Sequence, residues 1–89
     1  MWKLKVPSDA QRFKSLLESC SALVTGMAQF EVGIRADEFD ANVDVVLVSA
    51  FVDAAALAAY QSHPHHLTVS AQLGPLRESR GVLDYQVTD

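Results

Sequence analysis

The run Tyr60-Gln61-Ser62-His63-Pro64-His65-His66 holds all three histidines of the chain and one of its two tyrosines. Imidazole titrates near neutrality, and a phenol donates a hydrogen bond to a developing oxyanion. An inward-facing imidazole beside a phenol is therefore a workable acid–base pair. Pro64 fits the first turn of a helix better than the middle of a long one. Counted forward from His66, Val69, Leu73 and Leu76 fall at helical spacing and place His66 on the inward face. Leu67 belongs to the same helix. His65 aligns with Thr68 and Gln72 and is expected on the solvated face. His63 precedes the helix, where its ring is expected to cap the turn or meet Tyr60. Tyr60 follows Leu57 by one helical step on the buried side of the preceding helix. Each has a plainer role open to it: a satisfied core histidine, a turn residue, a solvated side chain or core filler.

Other chemistries find less support. His63 and His66 have metal-ligand spacing, but no third ligand lies near them, so no metal is expected. There is no G-x-S-x-G, P-loop or G-x-G-x-x-G pattern, and no cofactor is expected. Cys20, the single cysteine, cannot form an internal disulfide, belongs to no C-x-x-C pair and reads as an inert core thiol. Trp2, Phe30 and Phe51 are candidates to line a pocket for an apolar ligand, with core packing the alternative for each.

The elements that must position these residues follow from periodicity. Residues 2–6 alternate as a short strand that Pro7 ends. Ser8 offers a cap for an amphipathic helix over 9–24, with Phe13, Leu16, Leu17, Cys20, Leu23 and Val24 on one face. Gly26 breaks it. A strand over 28–35 places Ala28, Phe30, Val32 and Ile34 together, and an acidic connection over 37–42 follows. The strand over 44–51 differs, because Val45-Val46-Leu47-Val48 has no polar break and must be covered on both faces. Asp53 caps an alanine-rich helix over 54–61, and the Pro64 helix comes next. Gly81 introduces a last strand over 82–87.

The order β-α-β-β-α-α-β predicts an α+β, ferredoxin-like sandwich with one four-stranded antiparallel sheet and its helices on one face. The helices cover one side only, so the two-faced strand calls for a second copy of the chain, sheet against sheet. A homodimer of that kind would enclose space for a small apolar molecule.

Size and charge set the bounds. The chain has 89 residues, 49% of them apolar and 20% charged, with a net charge of −4. That is a single domain over 1–89 with a modest core. Scattered basic residues in an acidic chain disfavour nucleic-acid binding. The apolar runs are too short for a membrane span. The N-terminal residues do not read as a signal peptide, and a cytoplasmic, reducing location is the expectation.

The segments Val48-Ser49-Ala50-Phe51 and Leu57-Ala58-Ala59-Tyr60-Gln61-Ser62-His63-Pro64-His65-His66 resemble the signature of the Dabb family, the stress-responsive dimeric α/β-barrel domain. Trp2-Lys3-Leu4-Lys5 resembles the end of that family's first strand, and Val82-Leu83-Asp84-Tyr85 its closing strand. The resemblance implies a homodimeric barrel. Through similarity to olivetolic acid cyclase-like barrels it also implies lyase or cyclase chemistry, with His66 as general base and Tyr60 as hydrogen-bond donor, while His63 orders the turn. The alternatives are a non-catalytic, stress-associated structural barrel and a cofactor-free, monooxygenase-like enzyme. The family's first strand usually runs further upstream and often carries a histidine there. Met1 falls within that strand, so a short first ladder is expected.

Overall fold

The computed structural model describes residues 1–87. Strand β1 is Trp2–Leu4, with Trp2 and Leu4 buried and Lys3 exposed between them. A 3-10 turn at Pro7–Asp9 leads into helix α1, Ala10–Glu18. Strands β2, Met27–Ile34, and β3, Val45–Phe51, form a hairpin. Helices α2, Ala54–Ser62, and α3, Pro64–Leu73, follow. A second 3-10 turn at Gly74–Leu76 precedes strand β4, Arg77–Arg80. The sheet order is β2-β3-β1-β4, and every neighbouring pair is antiparallel. This is the ferredoxin-like α+β arrangement with a four-stranded antiparallel sheet that the element order predicts.

Alternation along the strands sorts side chains between two faces. Trp2, Leu4, Val32 and Val45 meet Phe13, Leu17, Cys20, Tyr60, Val69 and Leu73 in one core. Phe13, Val45 and Cys20 are completely enclosed. The rings of Trp2 and Phe13 lie 5.2 Å apart and join β1 to α1. The opposite face of β3 carries Val46, Val48 and Ala50, and Val48 is 46% exposed. The helices leave this second apolar face uncovered.

Several boundaries differ from the sequence expectation. Helix α1 stops at Glu18 instead of reaching residue 24. Cys20 and Ser21 donate backbone bonds only three residues back, to Leu17 and Glu18, and the Ser19 hydroxyl donates to Leu16 O at 2.6 Å. Serine competes in this way for the carbonyls a helix would use. Ser8 makes no cap, because it lies inside the 3-10 turn. Ala28 does not share a regular face with Phe30, because the ladder slips one residue between Met27 and Gln29.

The last strand is the largest correction. Strand β4 is the polar Arg77–Arg80, and residues 82–87 form no strand. The ladder explains this. Leu4, Lys3 and Trp2 pair with Arg77, Ser79 and Arg80, and Met1 exchanges backbone bonds with Gly81. Residues 82–87 pair with no described strand, and an apolar alternation without a neighbour makes no strand.

Candidate functional site

The histidine run sits at the junction of α2 and α3. Helix α2 begins where the Asp53 carboxylate accepts the Ala56 N–H at 2.8 Å. Its end is set by Pro64, which holds His63 in the extended region at φ −62°, ψ 135°. The His63 ring then turns back, and Nδ1 accepts the His65 N–H at 3.0 Å. His63 thus closes one helix and caps the next, doing with an imidazole what serine or aspartate does at most N-termini.

Tyr60 projects from the last turn of α2 into the core and is 5% exposed. Its ring centroid lies 5.3 Å from Phe51, 6.4 Å from Phe30 and 4.7 Å from His66. The Cys20 thiol lies in the same core. Burial, and then that thiol, push the phenol up to about 12. Burial also raises the Cys20 thiol, with contacts to Ser19 and Tyr60 opposing it.

His66 meets Gln61 O through Nδ1 at 3.1 Å. A carbonyl only accepts, so Nδ1 carries the proton, and in the neutral ring Nε2 keeps its lone pair. Burial lowers the His66 pKa from its ordinary 6.5. The Gln61 contact opposes this, while the positive charge of Arg80 adds to it. The result favours a neutral imidazole with a free basic nitrogen.

His65 is not simply solvated. Its Nε2 meets Ser19 Oγ at 2.9 Å, and because that hydroxyl donates to Leu16 O, the imidazole is the donor. His65 thereby ties α3 to the end of α1. Trp2 stands apart from the cluster, packed on Phe13. Phe30 and Phe51 both flank Tyr60. Among the described residues no three His, Cys, Asp or Glu side chains come together as a metal site.

Two clefts lie elsewhere. The larger, about 340 Å³, runs under the connection between β2 and β3 and is lined by Phe39, Ala41 and Val43 against Gly33 and Val46. The smaller, about 130 Å³, lies between Pro7, Ala10, Arg35 and Asp44. Neither opens onto Tyr60 or His66.

Cys20 and Arg80 were not among the sequence candidates for this site. The spacing of Phe13, Leu17 and Cys20 does point the thiol inward, but nothing in it singles out Tyr60 as the neighbour. The charge of Arg80 acts on His66 only because β4 pairs with β1, and that pairing has no sequence signature.

Among solved structures, the chain is similar to a dimeric protein of unknown function and ferredoxin-like fold from Bacteroides fragilis NCTC 9343. The TM-score is 0.79 at 26% identity, covering 97% of this chain and 89% of that one. No curated protein matches the chain. Residues 1–87 match the family described as Stress responsive A/B Barrel Domain. With its strand order, its helical layer and this match along nearly the whole length, the chain belongs to the stress responsive A/B barrel domain (Dabb) family.

Proposed function

We propose that the chain works as a homodimeric barrel that binds a small, largely apolar molecule beside Phe30 and Phe51, with Tyr60 and His66 supplying acid–base chemistry of the lyase or cyclase type. One observation carries the chemistry: His66 Nδ1 is committed to Gln61 O, 3.1 Å away, so the basic lone pair resides on Nε2. A neutral imidazole so oriented can take a proton from an activated C–H, and the phenol stays protonated at neutral pH to donate to the oxyanion that forms. The dimer is supported by the uncovered face of Val46, Val48 and Ala50 and by the dimeric relative of the same fold. The free, buried Cys20 thiol fits a reducing, cytoplasmic setting. No described helix is long and apolar enough to cross a membrane.

A non-catalytic structural barrel is favoured by one observation, the near-complete enclosure of Tyr60. Native mass spectrometry of protein from its source separates the readings when repeated on His66→Ala and Tyr60→Phe. A dimer carrying a small molecule that accumulates unconverted in the variants supports catalysis. A dimer without ligand, whose His66→Ala form melts earlier and is otherwise unchanged, supports the structural barrel.

A further inference from the structure

Strand β4 carries two arginines on the side of the sheet that the helices cover. Directly opposed residues of a ladder put their side chains on the same face. Trp2 and Leu4 both point into the core, and their partners are Arg80 and Arg77. The two arginines stand three residues apart, because the register shifts between Lys3 and Leu4. Strict alternation would send one of them to the outer face, and the bulge brings both to the helix side.

The three-residue turn at Gly74–Leu76 joins α3 to β4, so Arg77 lies by the end of α3 and Arg80 further back, toward its start. His66 is at that start. Arg80, and not Arg77, is among the charges that act on the His66 ring, and no carboxylate is among them. Among the described residues the one ion pair is Lys3 with Glu78, so neither guanidinium is paired. An unpaired guanidinium is a handicap to a neighbouring base. When His66 takes a proton it becomes a cation, which Arg80 repels. An anion held on Arg80 cancels that repulsion.

We propose that Arg80 binds the carboxylate of the substrate at the Tyr60–His66 site, and that this substrate is an apolar carboxylic acid with the activated C–H on its chain. The register and the bulge of β4 carry the assignment. A guanidinium donates two parallel N–H bonds to a carboxylate, which fixes the orientation of the acid as well as its place. The apolar chain of the acid then lies toward Phe51 and Phe30, whose rings flank Tyr60. The proton taken from the C–H goes to His66 Nε2, and the electron pair passes to the adjoining carbonyl, to which the Tyr60 hydroxyl donates. With the carboxylate on Arg80, His66 becomes the stronger base only when substrate is present. This rests on the small-molecule site proposed above.

The test is NMR of the full-length chain titrated with sodium benzoate and, separately, with its neutral counterpart benzamide, at constant ionic strength. Benzoate should shift the ring signals of Tyr60 and His66 and bind at least about tenfold more tightly than benzamide. It should also raise the His66 pKa. Arg80→Gln should weaken benzoate by about that same tenfold and abolish its effect on the His66 pKa, while benzamide binding holds. Arg80→Lys should keep part of the preference, since an ammonium retains the charge and loses the fork. Should Arg80→Gln fail to fold, Arg80→Lys and the parent chain's preference for benzoate still decide. Arg77→Gln, on the same face at the other end of β4, should change nothing. A loss in Arg77→Gln equal to that in Arg80→Gln overturns the assignment, because a diffuse field and not a contact is then responsible. Benzoate binding no tighter than benzamide overturns it and leaves the small-molecule site standing. Neither compound shifting Tyr60 or His66 overturns both.

Discussion

The rings of Tyr60 and His66 lie 4.7 Å apart, yet His66 Nδ1 is committed to Gln61 O and not to the phenol. The pair is a packing contact that leaves one reactive atom uncommitted, His66 Nε2.

His66 should titrate below its ordinary 6.5, since burial disfavours the imidazolium and the Arg80 guanidinium repels it. The unfolded chain binds this proton more readily than the folded one. The contribution of His66 to stability is then intact above about pH 6.5 and erodes as pH falls through the folded pKa. NMR titration of the ring protons measures the shift, and denaturant midpoints measured across that window should move down with pH. A His66 titrating at or above 6.5 contradicts the packing described here.

Asp44 fastens the short first strand. Its carboxylate accepts the Leu4 N–H at 2.8 Å, and its own N–H donates to Trp2 O at 2.8 Å. Asp44→Ala removes the charged acceptor and leaves the Leu4 N–H without a partner. The expected cost is about 1.5–3 kcal/mol in chemical denaturation. A midpoint equal to that of the parent chain would show that β1 is held by packing alone.

Gly26 has φ +93°, and a Cβ there would come within 2.8 Å of Val52 Cγ2 and 3.0 Å of Ala56 Cβ. Gly26→Ala combines strained backbone with a crowded approach to α2, at a cost of roughly 1–3 kcal/mol. The paired control is Gly74→Ala, where a Cβ meets nothing within 4 Å and the melting temperature should hold or rise.

Val48→Asp tests the uncovered sheet face. In one chain Val48 is 46% exposed, so a carboxylate there stays hydrated and the protomer should fold. Between two sheets it is a buried charge without a counterion, worth roughly 3–5 kcal/mol against association. Sedimentation equilibrium should show the variant as a folded monomer where the parent chain is a dimer. A dimer of unchanged affinity would move the interface off this face.

The sequence was most informative where one residue type settles a local choice. Asp53 before an alanine run marks the start of α2, and His63-Pro64 marks the junction of α2 and α3, because proline restricts the residue before it. The run Val45-Val46-Leu47-Val48 announces a strand with two apolar faces whatever its neighbours are. Ladder register was not legible. Residues 82–87 alternate as a strand should, yet β1 pairs with Arg77–Arg80, whose composition suggests a loop. The end of α1 depends on the Ser19 hydroxyl capturing the Leu16 carbonyl, which apolar spacing does not report. The bond between His65 and Ser19 spans two helices, so no local pattern could place it.

The polar composition of β4 has a consequence for colloidal behaviour. An edge of Arg77, Glu78, Ser79 and Arg80 repels stray strands, and Glu78 is further tied to Lys3 Nζ at 3.8 Å. The sticky segment begins one residue past that guard. Within 82–87 the only charge is Asp84, which makes it the gatekeeper of an otherwise uncharged, strand-prone hexapeptide. Replacement of Asp84 by asparagine strips that protection. Turbidity and fibril formation should then set in while the helices and the hairpin of β2 and β3 are still folded.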